Sequence, residues 1–526
     1  MTKYFPILTL LFFNLSGNAQ IEKIVQEIDS VYTFNGIKQD NLKQDYWEYF
    51  DSQNRLIAEG IYQYDKAEGT WKFYNENALI IEMEFELGKS QGVFSRYNGH
   101  MVIEKGQFER NLKTGLWKEY YTIGYLKSEG YYIINKKGGD WTFYHENAMV
   151  AEKTVFSNDL RDGLTNVFDD YGFLISATEY KEGLLHGSWK EFYENGSQAL
   201  SGYYKLGEKD SLWTELDMYG NLNYEQFFVA GKPDGEWKFY YPLFKRMKIQ
   251  RIENYKLGMK MGTWKEYDRH GQLLKEMYFK NDLADSVYRE FYTNGNKSVE
   301  GYYTYGLKSS TWLNFHENNV LYSIGNYRND LQNGVWKYFK KAGPLQEEAQ
   351  YKNDLKHGQW ITYHGNGNVA SIGSYINDEQ DGLWGHFYDN EQLKLDENWK
   401  AGRLIDIGDY FSIKGEPLDK GTFKKGNGTR YFYDDNGSIT IEGNYKNGYT
   451  SGTWKYFHRN STMSATGNLE LSMREGLWTF YYDNGNIESS GAYSNDTQTG
   501  EWSFYNKKGK LARTIITLIN SLLNEH

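Results

Sequence analysis

Histidine, carboxylate and cysteine side chains are the first candidates for chemistry in this 526-residue chain, and their spacing forms no site. The ten histidines are scattered and hold no constant position in the repeat described below. Only His357 and His364 have metal-ligand spacing, in an incidental loop context. The acidic turn at 434–437 is too short for a full calcium loop. Cysteine is absent, and neither a nucleophile elbow nor a phosphate-binding glycine loop occurs. We therefore predict a non-catalytic protein with no metal and no cofactor.

The segment at 240–251 is the strongest sequence candidate for binding a partner. Pro242 stands where the repeat has Asn-Gly, and the unit that contains it is 27 residues long instead of 24. An insertion at a loop tip is commonly tolerated without any function. The alternative is a docking tip, because basic and apolar side chains cluster here on an acidic chain. The residues concerned are Tyr241, Phe244, Lys245, Arg246, Lys248 and Arg251.

Composition favours an all-β chain of many short strands. The sequence holds 54 Gly, 48 Tyr, 29 Phe and 16 Trp but only 5 Pro. Aromatic residues favour strands, and glycine favours turns and bulges. Mean hydropathy is −0.76, so burial must come from aromatic rings rather than from a thick aliphatic core. The formal net charge of −11 disfavours nucleic acid and anionic membrane surfaces as partners.

A 24-residue repeat runs through the sequence. Its frame is Gly-x-Trp-x-x-aromatic, an Asn-Gly turn and then Gly-x-aromatic, as in residues 187–204. The first aromatic place is named here the Trp position, and fifteen of its twenty copies hold Trp. The exceptions are Phe94, Thr165, Tyr288, Gly408 and Arg430, of which Thr165, Gly408 and Arg430 predict local weak points or bends. The Trp positions are 47, 71, 94, 117, 141, 165, 189, 213, 237, 264, 288, 312, 336, 360, 384, 408, 430, 454, 478 and 502.

Each unit predicts one β-hairpin. Asn-Gly supplies the positive-φ turn residues at 195–196 and 484–485, and a second strand ends at an aromatic residue fifteen places after the Trp position. Two strands and two loops fill the unit, so no helix fits inside it. The predicted fold is all-β, an elongated single-sheet solenoid of about twenty tandem antiparallel hairpins with short capping segments at its ends.

Glycine precedes the second aromatic by two places in many units, for example Gly60, Gly202 and Gly491. A glycine here allows a neighbouring ring to lie flat over the backbone, which would build Trp and Tyr ladders into the core of a thin sheet. The alternative is that these glycines only mark bulges.

The N-terminus predicts export. Lys3 gives a positive region, residues 7–13 an apolar region and residues 16–19 a small-residue cleavage site, which is typical of a secretory signal peptide. The mature chain, without a transmembrane segment, is then expected in the periplasm, at the cell surface or outside the cell. Apolar residues with helical spacing occur near both ends and predict amphipathic caps. The predicted domains are a signal peptide at 1–19, an N-terminal cap at 20–45, the hairpin array at 46–510 and a C-terminal cap at 511–526.

The frame resembles the bacterial variant of the MORN repeat (membrane occupation and recognition nexus). Residues 189–196 and 478–485 match it most closely, and the resemblance covers about residues 45–515. It implies an extended β-hairpin solenoid that acts as a scaffold or binding surface and has no catalytic residues. Some members of this family are labelled antitoxin components of toxin–antitoxin modules.

The predicted function is a non-catalytic exported scaffold that binds a protein or a cell-envelope component. One alternative is binding of a glycan or the cell wall, because aromatic-glycine hairpin repeats can stack sugars between rings. Another is an antitoxin or immunity-type protein that neutralises a toxin, as the family label suggests. The predicted signal peptide argues against a cytosolic antitoxin, because the protein would leave the compartment in which the toxin acts.

Overall fold

The computed structural model describes residues 33–242 and 247–517, which form strands and turns without a helix. The chain divides into two compact units. Unit 1 comprises Met1–Lys260 with Arg269–Gly271, and unit 2 comprises Met261–Asp268 with Gln272–His526. The predicted signal peptide lies outside the described residues, as do residues 20–32 and 518–526 of the predicted caps.

Successive strands of unit 1 pair antiparallel, so that hairpin follows hairpin along the chain. In two places a single residue, Asp162 or Asp234, interrupts a strand and leaves two shorter strands on either side of it. The strands are β1 Thr33–Gln39, β2 Leu42–Phe50, β3 Leu56–Gln63, β4 Lys66–Asn75, β5 Ala78–Glu86, β6 Lys89–Asn98, β7 Met101–Glu109, β8 Leu112–Tyr120, β9 Leu126–Ile133, β10 Lys136–Tyr144, β11 Val150–Ser157, β12 Leu160–Arg161, β13 Gly163–Phe168, β14 Leu174–Lys181, β15 Leu184–Phe192, β16 Gln198–Lys205, β17 Glu208–Leu216, β18 Leu222–Val229, β19 Lys232–Pro233, β20 Gly235–Tyr240, β21 Ile249–Lys256 and β22 Met259–Lys260.

Unit 2 holds two runs of antiparallel hairpins with a small two-stranded sheet between them in the sequence. The first run ends at Ile407 and the second begins at Gly428, so the sheet is divided where Gly408 and Arg430 replace Trp. The strands are β23 Gly262–Tyr267, β24 Leu273–Lys280, β25 Leu283–Phe291, β26 Lys297–Thr304, β27 Leu307–Phe315, β28 Leu321–Arg328, β29 Leu331–Phe339, β30 Leu345–Lys352, β31 Leu355–Tyr363, β32 Val369–Ile376, β33 Glu379–Phe387, β34 Leu393–Lys400, β35 Arg403–Ile407, β36 Tyr410–Phe411, β37 Pro417–Leu418, β38 Gly428–Tyr433, β39 Ile439–Lys446, β40 Tyr449–Phe457, β41 Met463–Glu470, β42 Met473–Tyr481, β43 Ile487–Ser494, β44 Thr497–Tyr505 and β45 Leu511–Thr517.

The predicted fold class is confirmed in both units, since tandem antiparallel hairpins account for the described strands. The backbone conformation of the turns differs from the prediction in one respect. At the Asn-Gly turns the glycine alone has a positive φ, +78° at Gly196, while the Asn195 side chain accepts a hydrogen bond from Ser197 N at 2.9 Å. Both turn residues have positive φ in the linking loops instead, as at Asn329 and Asp330 (53° and 68°).

One face of the sheet carries the aromatic core in each unit. Trp71 and Trp336 are at most 2 % exposed. Their indole N–H groups donate to carbonyls ten residues earlier, at 3.0 Å from Trp71 to Ile61 and 3.2 Å from Trp336 to Asn326. A tyrosine edge packs against each ring, as Tyr62 does against Trp71 with centroids 4.9 Å apart. Both of these Trp side chains are therefore fixed by burial, an aromatic edge and a hydrogen bond.

The prediction that a ring lies over the glycine backbone is confirmed. A Cβ added to Gly60 would lie 2.2 Å from Cδ2 of Trp71, and one added to Gly325 would lie 2.0 Å from Cδ2 of Trp336. No side chain fits beneath these rings. The same arrangement recurs at Gly36, Gly106, Gly130, Gly202, Gly301, Gly373, Gly467 and Gly491.

At one exception to the Trp position, the glycine place has changed as well. Thr165 replaces Trp, and Thr154 stands at the glycine place eleven residues earlier. Both side chains are buried, and their hydroxyl oxygens lie 2.5 Å apart. A buried hydroxyl pair thus replaces the ring and the glycine beneath it.

Candidate binding sites

The predicted docking tip at 240–251 is described only in part. Phe244, Lys245 and Arg246 lie outside the described residues. The base of the tip brings Tyr241 and Lys248 together, with Tyr241 N donating to Lys248 O at 2.9 Å. Its docking role stays a prediction.

Arg251, the last residue of the predicted tip, is already engaged within the sheet. Its guanidinium carbon lies 3.6 Å from the ring centroid of Phe239. Its Nε donates to Glu253 Oε1 at 2.8 Å. This cation is therefore less available to a partner than the sequence indicates.

A cation four residues before the Trp position packs onto the aromatic core. Lys356 Nζ lies 4.1 Å from the ring centroid of Trp360 and 4.9 Å from that of Tyr375. Burial lowers the pKa of the ammonium groups of Lys137 and Lys209 at the equivalent place. Cations that occupy this place over a ring are Lys43, Lys113, Lys137, Arg161, Lys209, Lys308, Lys356 and Arg474. Sequence reasoning missed this cation, although its fixed spacing from Trp could have revealed it.

Replacing Lys356 with methionine is expected to lower the free energy of unfolding by about 0.5–2 kcal/mol, because the aliphatic stem remains while the cation–π contact is lost. Urea unfolding followed by tryptophan fluorescence measures this change. Lys352→Met is the matched control, since the Lys352 side chain is exposed and should give almost no change. Equal stability of both variants would refute the contribution of the cation.

The opposite face of the sheet is polar and carries a repeated Lys–Glu–Tyr network. Glu129 accepts hydrogen bonds from Lys118 Nζ and from the Tyr144 hydroxyl, each at 2.8 Å. These bonds lower the pKa of Glu129. Burial and the Glu129 carboxylate raise the pKa of Tyr144 to about 12. The charges of Lys118 and Glu129 thus neutralise each other.

An apolar row lies among these charges in unit 1. It consists of the residue before the Trp position and the residue opposite it on the next strand, as in the pairs Leu116–Tyr131 and Leu212–Phe227. These four side chains are 40, 51, 49 and 37 % exposed, respectively. Tyr203, on the strand before Leu212, is 39 % exposed. The row therefore has two groups, Leu116–Tyr131 and Tyr203–Leu212–Phe227, because the equivalent places between them include Asp140, Glu179 and Ser188. We name Leu116, Tyr131, Tyr203, Leu212 and Phe227 the exposed row.

The expectation that histidines hold no constant repeat position is wrong for four of the ten. These four stand four residues after the Trp position, and each Nε2 lies 2.9–3.2 Å from a backbone carbonyl 23 residues further on. Tyr193 and Tyr482 occupy the same place and donate a hydroxyl proton to the equivalent carbonyl. In these units a ring with a polar hydrogen therefore links one hairpin to the next, whereas other units hold a residue without a ring at this place, such as Asp217 or Lys340. The histidines are His145, His316, His364 and His458.

A hydrogen bond of this kind also accounts for His364, one of the two histidines with metal-ligand spacing. Its Nε2 lies 2.9 Å from the carbonyl of Phe387. Within residues 33–242 and 247–517, no group of three or more His, Asp or Glu side chains is placed to hold a metal ion.

The division of the sheet in unit 2 is built around a buried ion pair. Glu397 stands at the glycine place and Gly408 at the Trp position eleven residues later, so the large and small residues have exchanged places. Arg430, at the next Trp position, donates from Nη2 to Glu397 Oε1. Trp399 Nε1 lies 2.8 Å from Glu397 Oε2, and His386 Nε2 lies 3.3 Å from the same oxygen. The Glu397 and Arg430 side chains are 7 and 6 % exposed.

Opposing effects set the pKa of Glu397. Burial by itself would raise this pKa, but the hydrogen bond from His386, the charge of Arg430 and the hydrogen bond from Trp399 outweigh burial and lower it to about 2. The carboxylate is therefore charged at neutral pH. Gly408 leaves room for the neighbouring Asp396 carboxylate, since a Cβ there would lie 1.8 Å from Asp396 Oδ1.

A pocket of about 560 Å³ opens beside this division. It is lined by β35, the turn at 425–426, the turn and strand at 446–451, and residues 470–471. Arg403, Lys425 and Lys446 contribute its cations. Sequence reasoning missed this pocket, because its lining comes from four separate turns and strands.

Tandem hairpins that share a buried aromatic core define a β-hairpin repeat protein. Five of its units match the family model described as the MORN repeat variant, at residues 185–205, 262–281, 356–377, 427–447 and 474–495. The predicted MORN-variant repeats are thus confirmed. No curated protein matches the chain. No helix within the described residues is long and apolar enough to cross a membrane.

Several solved toxin-complex structures are similar over most of this chain. The crystal structure of TcdB2-TccC3-Cdc42 shares 9 % identity, covers 91 % of this chain and 30 % of that chain, and gives a TM-score of 0.11. TcdB2-TccC3 shares 11 % identity and covers 90 % of this chain and 31 % of that chain, with a TM-score of 0.13. The Tc holotoxin pore of Photorhabdus luminescens shares 10 % identity and covers 87 % of this chain and 26 % of that chain, with a TM-score of 0.12. The chain spans less than a third of the length of these three structures, and likeness at such scores assigns it no function.

Proposed function

We propose that the chain is a non-catalytic repeat scaffold that binds a protein partner, with a cell-envelope protein as the expected class. The observation that carries this proposal is the exposed row of unit 1. Groups of exposed apolar side chains rimmed by polar groups are typical of protein interaction surfaces. The Lys–Glu pairs around the row provide such a rim. The acidic net charge of −11 also favours a protein over nucleic acid.

Export is part of the proposal and depends on the signal-peptide pattern of residues 1–19. An exported scaffold would meet its partner in the periplasm, at the cell surface or outside the cell. A cytosolic toxin would then be out of reach, so the antitoxin alternative requires a toxin that is itself exported.

Glycan binding by ring stacking receives little support from the aromatic ladder. The rings of Trp71, Trp213 and Trp336 are at most 2 % exposed. Glycine backbone and tyrosine edges already contact these rings, and the Lys209 ammonium group also lies over Trp213. Sugars would have to stack on aromatic residues outside this ladder.

The test is capture of proteins from an envelope extract by the immobilised mature chain. We expect the variant Tyr131→Glu, Tyr203→Glu, Phe227→Glu to lose about tenfold or more of a captured partner, because charge would be buried at the interface. The control Ile123→Glu, Tyr125→Glu, Tyr171→Glu adds the same charge at exposed turn residues of unit 1 and should retain capture. Equal capture by both variants would refute the exposed row as the binding surface. Sedimentation with peptidoglycan in place of protein capture would favour the glycan alternative.

A further inference from the structure

The pocket in unit 2 lies where three segments meet through two glycines. Leu404 N donates to Gly448 O at 3.1 Å, and Gly448 N donates to Gly426 O at 2.7 Å. A Cβ added to Gly448 would lie 2.8 Å from Leu404 O, and one added to Gly426 would lie 2.8 Å from Gly448 N. Both glycines have positive φ, +77° at Gly426 and +81° at Gly448. This close backbone approach requires glycine, and it brings the longer neighbouring side chains to one opening.

The opening is cationic although the protein is acidic. Arg403, Lys425 and Lys446 line it, and Glu470 is the single carboxylate among the lining residues. These three cations form no ion pair with the residues in 33–242 and 247–517. Some cations elsewhere in unit 2 are engaged, such as Arg474, which pairs with Asp496 at 2.9 Å. Three positive charges against one negative charge leave the pocket with a formal excess of cations that the fold does not use.

We propose that this pocket binds the carboxylate or phosphate group of a sugar-sized anionic ligand. A guanidinium group such as that of Arg403 forms paired hydrogen bonds with either group, and the lysine ammonium groups add charge. Tyr449 and Leu471 provide exposed apolar surface beside the cations for the body of the ligand. The pocket volume of about 560 Å³ is within the range of about 300–1,000 Å³ that is usual for ligand pockets.

Polar side chains add to the lining. Asn447 and Ser451 lie at the turn and on β40. The Thr450 hydroxyl is occupied, since it donates to Ser472 Oγ at 3.3 Å and accepts a hydrogen bond from Ser472 N at 2.6 Å. Asn447 and Ser451 are therefore the neutral groups we assign to ligand hydroxyls. This inference goes beyond the scaffold proposal, because the exposed row belongs to unit 1 and the pocket to unit 2.

The test is calorimetric titration of the mature chain with glucuronate, glucose 6-phosphate and glucose. We expect one or both anions to bind about tenfold or more tightly than glucose, the effect of about one charge-assisted hydrogen bond. Preference for glucuronate would assign the site to carboxylates, and preference for glucose 6-phosphate would assign it to phosphates. Binding of both anions no tighter than glucose would overturn the proposal.

Matched variants locate the effect. The variant Arg403→Ala, Lys425→Ala, Lys446→Ala should lose the preference for anions. The control Lys280→Ala, Arg328→Ala, Lys352→Ala removes the same charge from exposed residues that share the repeat position of Lys446, and it should keep that preference.

Two further comparisons separate folding and the scaffold proposal from the pocket. Lys425→Glu changes one exposed turn residue, so it should weaken anion binding without unfolding the chain. Unchanged anion affinity in the triple pocket variant or in Lys425→Glu would overturn the assignment. The variant of the exposed row at Tyr131, Tyr203 and Phe227 should bind anions normally, so failure of the scaffold proposal would leave this result intact.

Discussion

Replacing Arg430 with methionine is expected to lower the free energy of unfolding by about 3–5 kcal/mol, because the Glu397 carboxylate would remain buried without its charged partner. The two side chains are 6 and 7 % exposed, so water cannot replace the guanidinium group. Urea unfolding followed by tryptophan fluorescence measures the loss. The control Lys455→Met breaks a more exposed pair, Lys455–Glu442 at 3.0 Å, and should change stability by at most about 1 kcal/mol.

The double variant Arg430→Met, Glu397→Leu tests the cause. It removes both charges, and apolar replacement of a buried pair is often close to neutral, so most of the lost stability should return. A loss in Arg430→Met no larger than in Lys455→Met would contradict the assigned role. So would a double variant that is as unstable as the single variant.

Acid provides a second readout of the same ion pair. The pKa of Glu397 is lowered from 4.5 to about 2 in the folded chain, so its stabilisation is complete above the unfolded pKa and is lost as pH falls from about 4.5 towards 2. That shift corresponds to about 3 kcal/mol. In Arg430→Met the pKa of Glu397 should rise, and this part of the acid dependence should shrink. Unfolding curves between pH 5 and pH 2 of the parent chain and the variant would show the difference.

Replacing Gly373 with alanine is expected to lower the free energy of unfolding by about 1–3 kcal/mol through overpacking. A Cβ there would lie 2.0 Å from Cδ2 of Trp384, and the ring cannot move away without losing its hydrogen bond to Ser374 O at 3.1 Å. A shift of the tryptophan emission maximum to longer wavelength would report the displaced ring. Urea unfolding would report the lost stability.

Gly365→Ala is the matched control, eight residues away in the same hairpin. Its added Cβ would have no atom within 4 Å, and Gly365 does not have a positive φ. Alanine should therefore be neutral, or stabilise by about 0.4–1 kcal/mol by restricting the unfolded chain. Similar losses in both variants would mean that backbone freedom, rather than the Trp384 ring, explains the glycine.

The candidate sites were predictable only in part. The unusual length and basic composition of residues 240–251 were visible in the sequence, but the contact of Arg251 with Phe239 and Glu253 was not. The histidine place was missed because only four units have His there, while others have Tyr or a residue without a ring. The equivalence of His and Tyr emerges only when both are seen to bond to a carbonyl 23 residues further on.

The sequence by itself determined the 24-residue unit, the hairpin within it and the pairing of Trp with glycine. Turn chemistry and alternation act over a few residues and recur in every unit, so they can be recognised without coordinates. Only the tertiary structure decided how Glu397, Gly408 and Arg430 replace that pairing, since Glu397 and Arg430 are 33 residues apart. It also decided that Arg403, Lys425 and Lys446 face one pocket. The physical reason is that these contacts join separate turns and strands, whose relative placement no local pattern specifies.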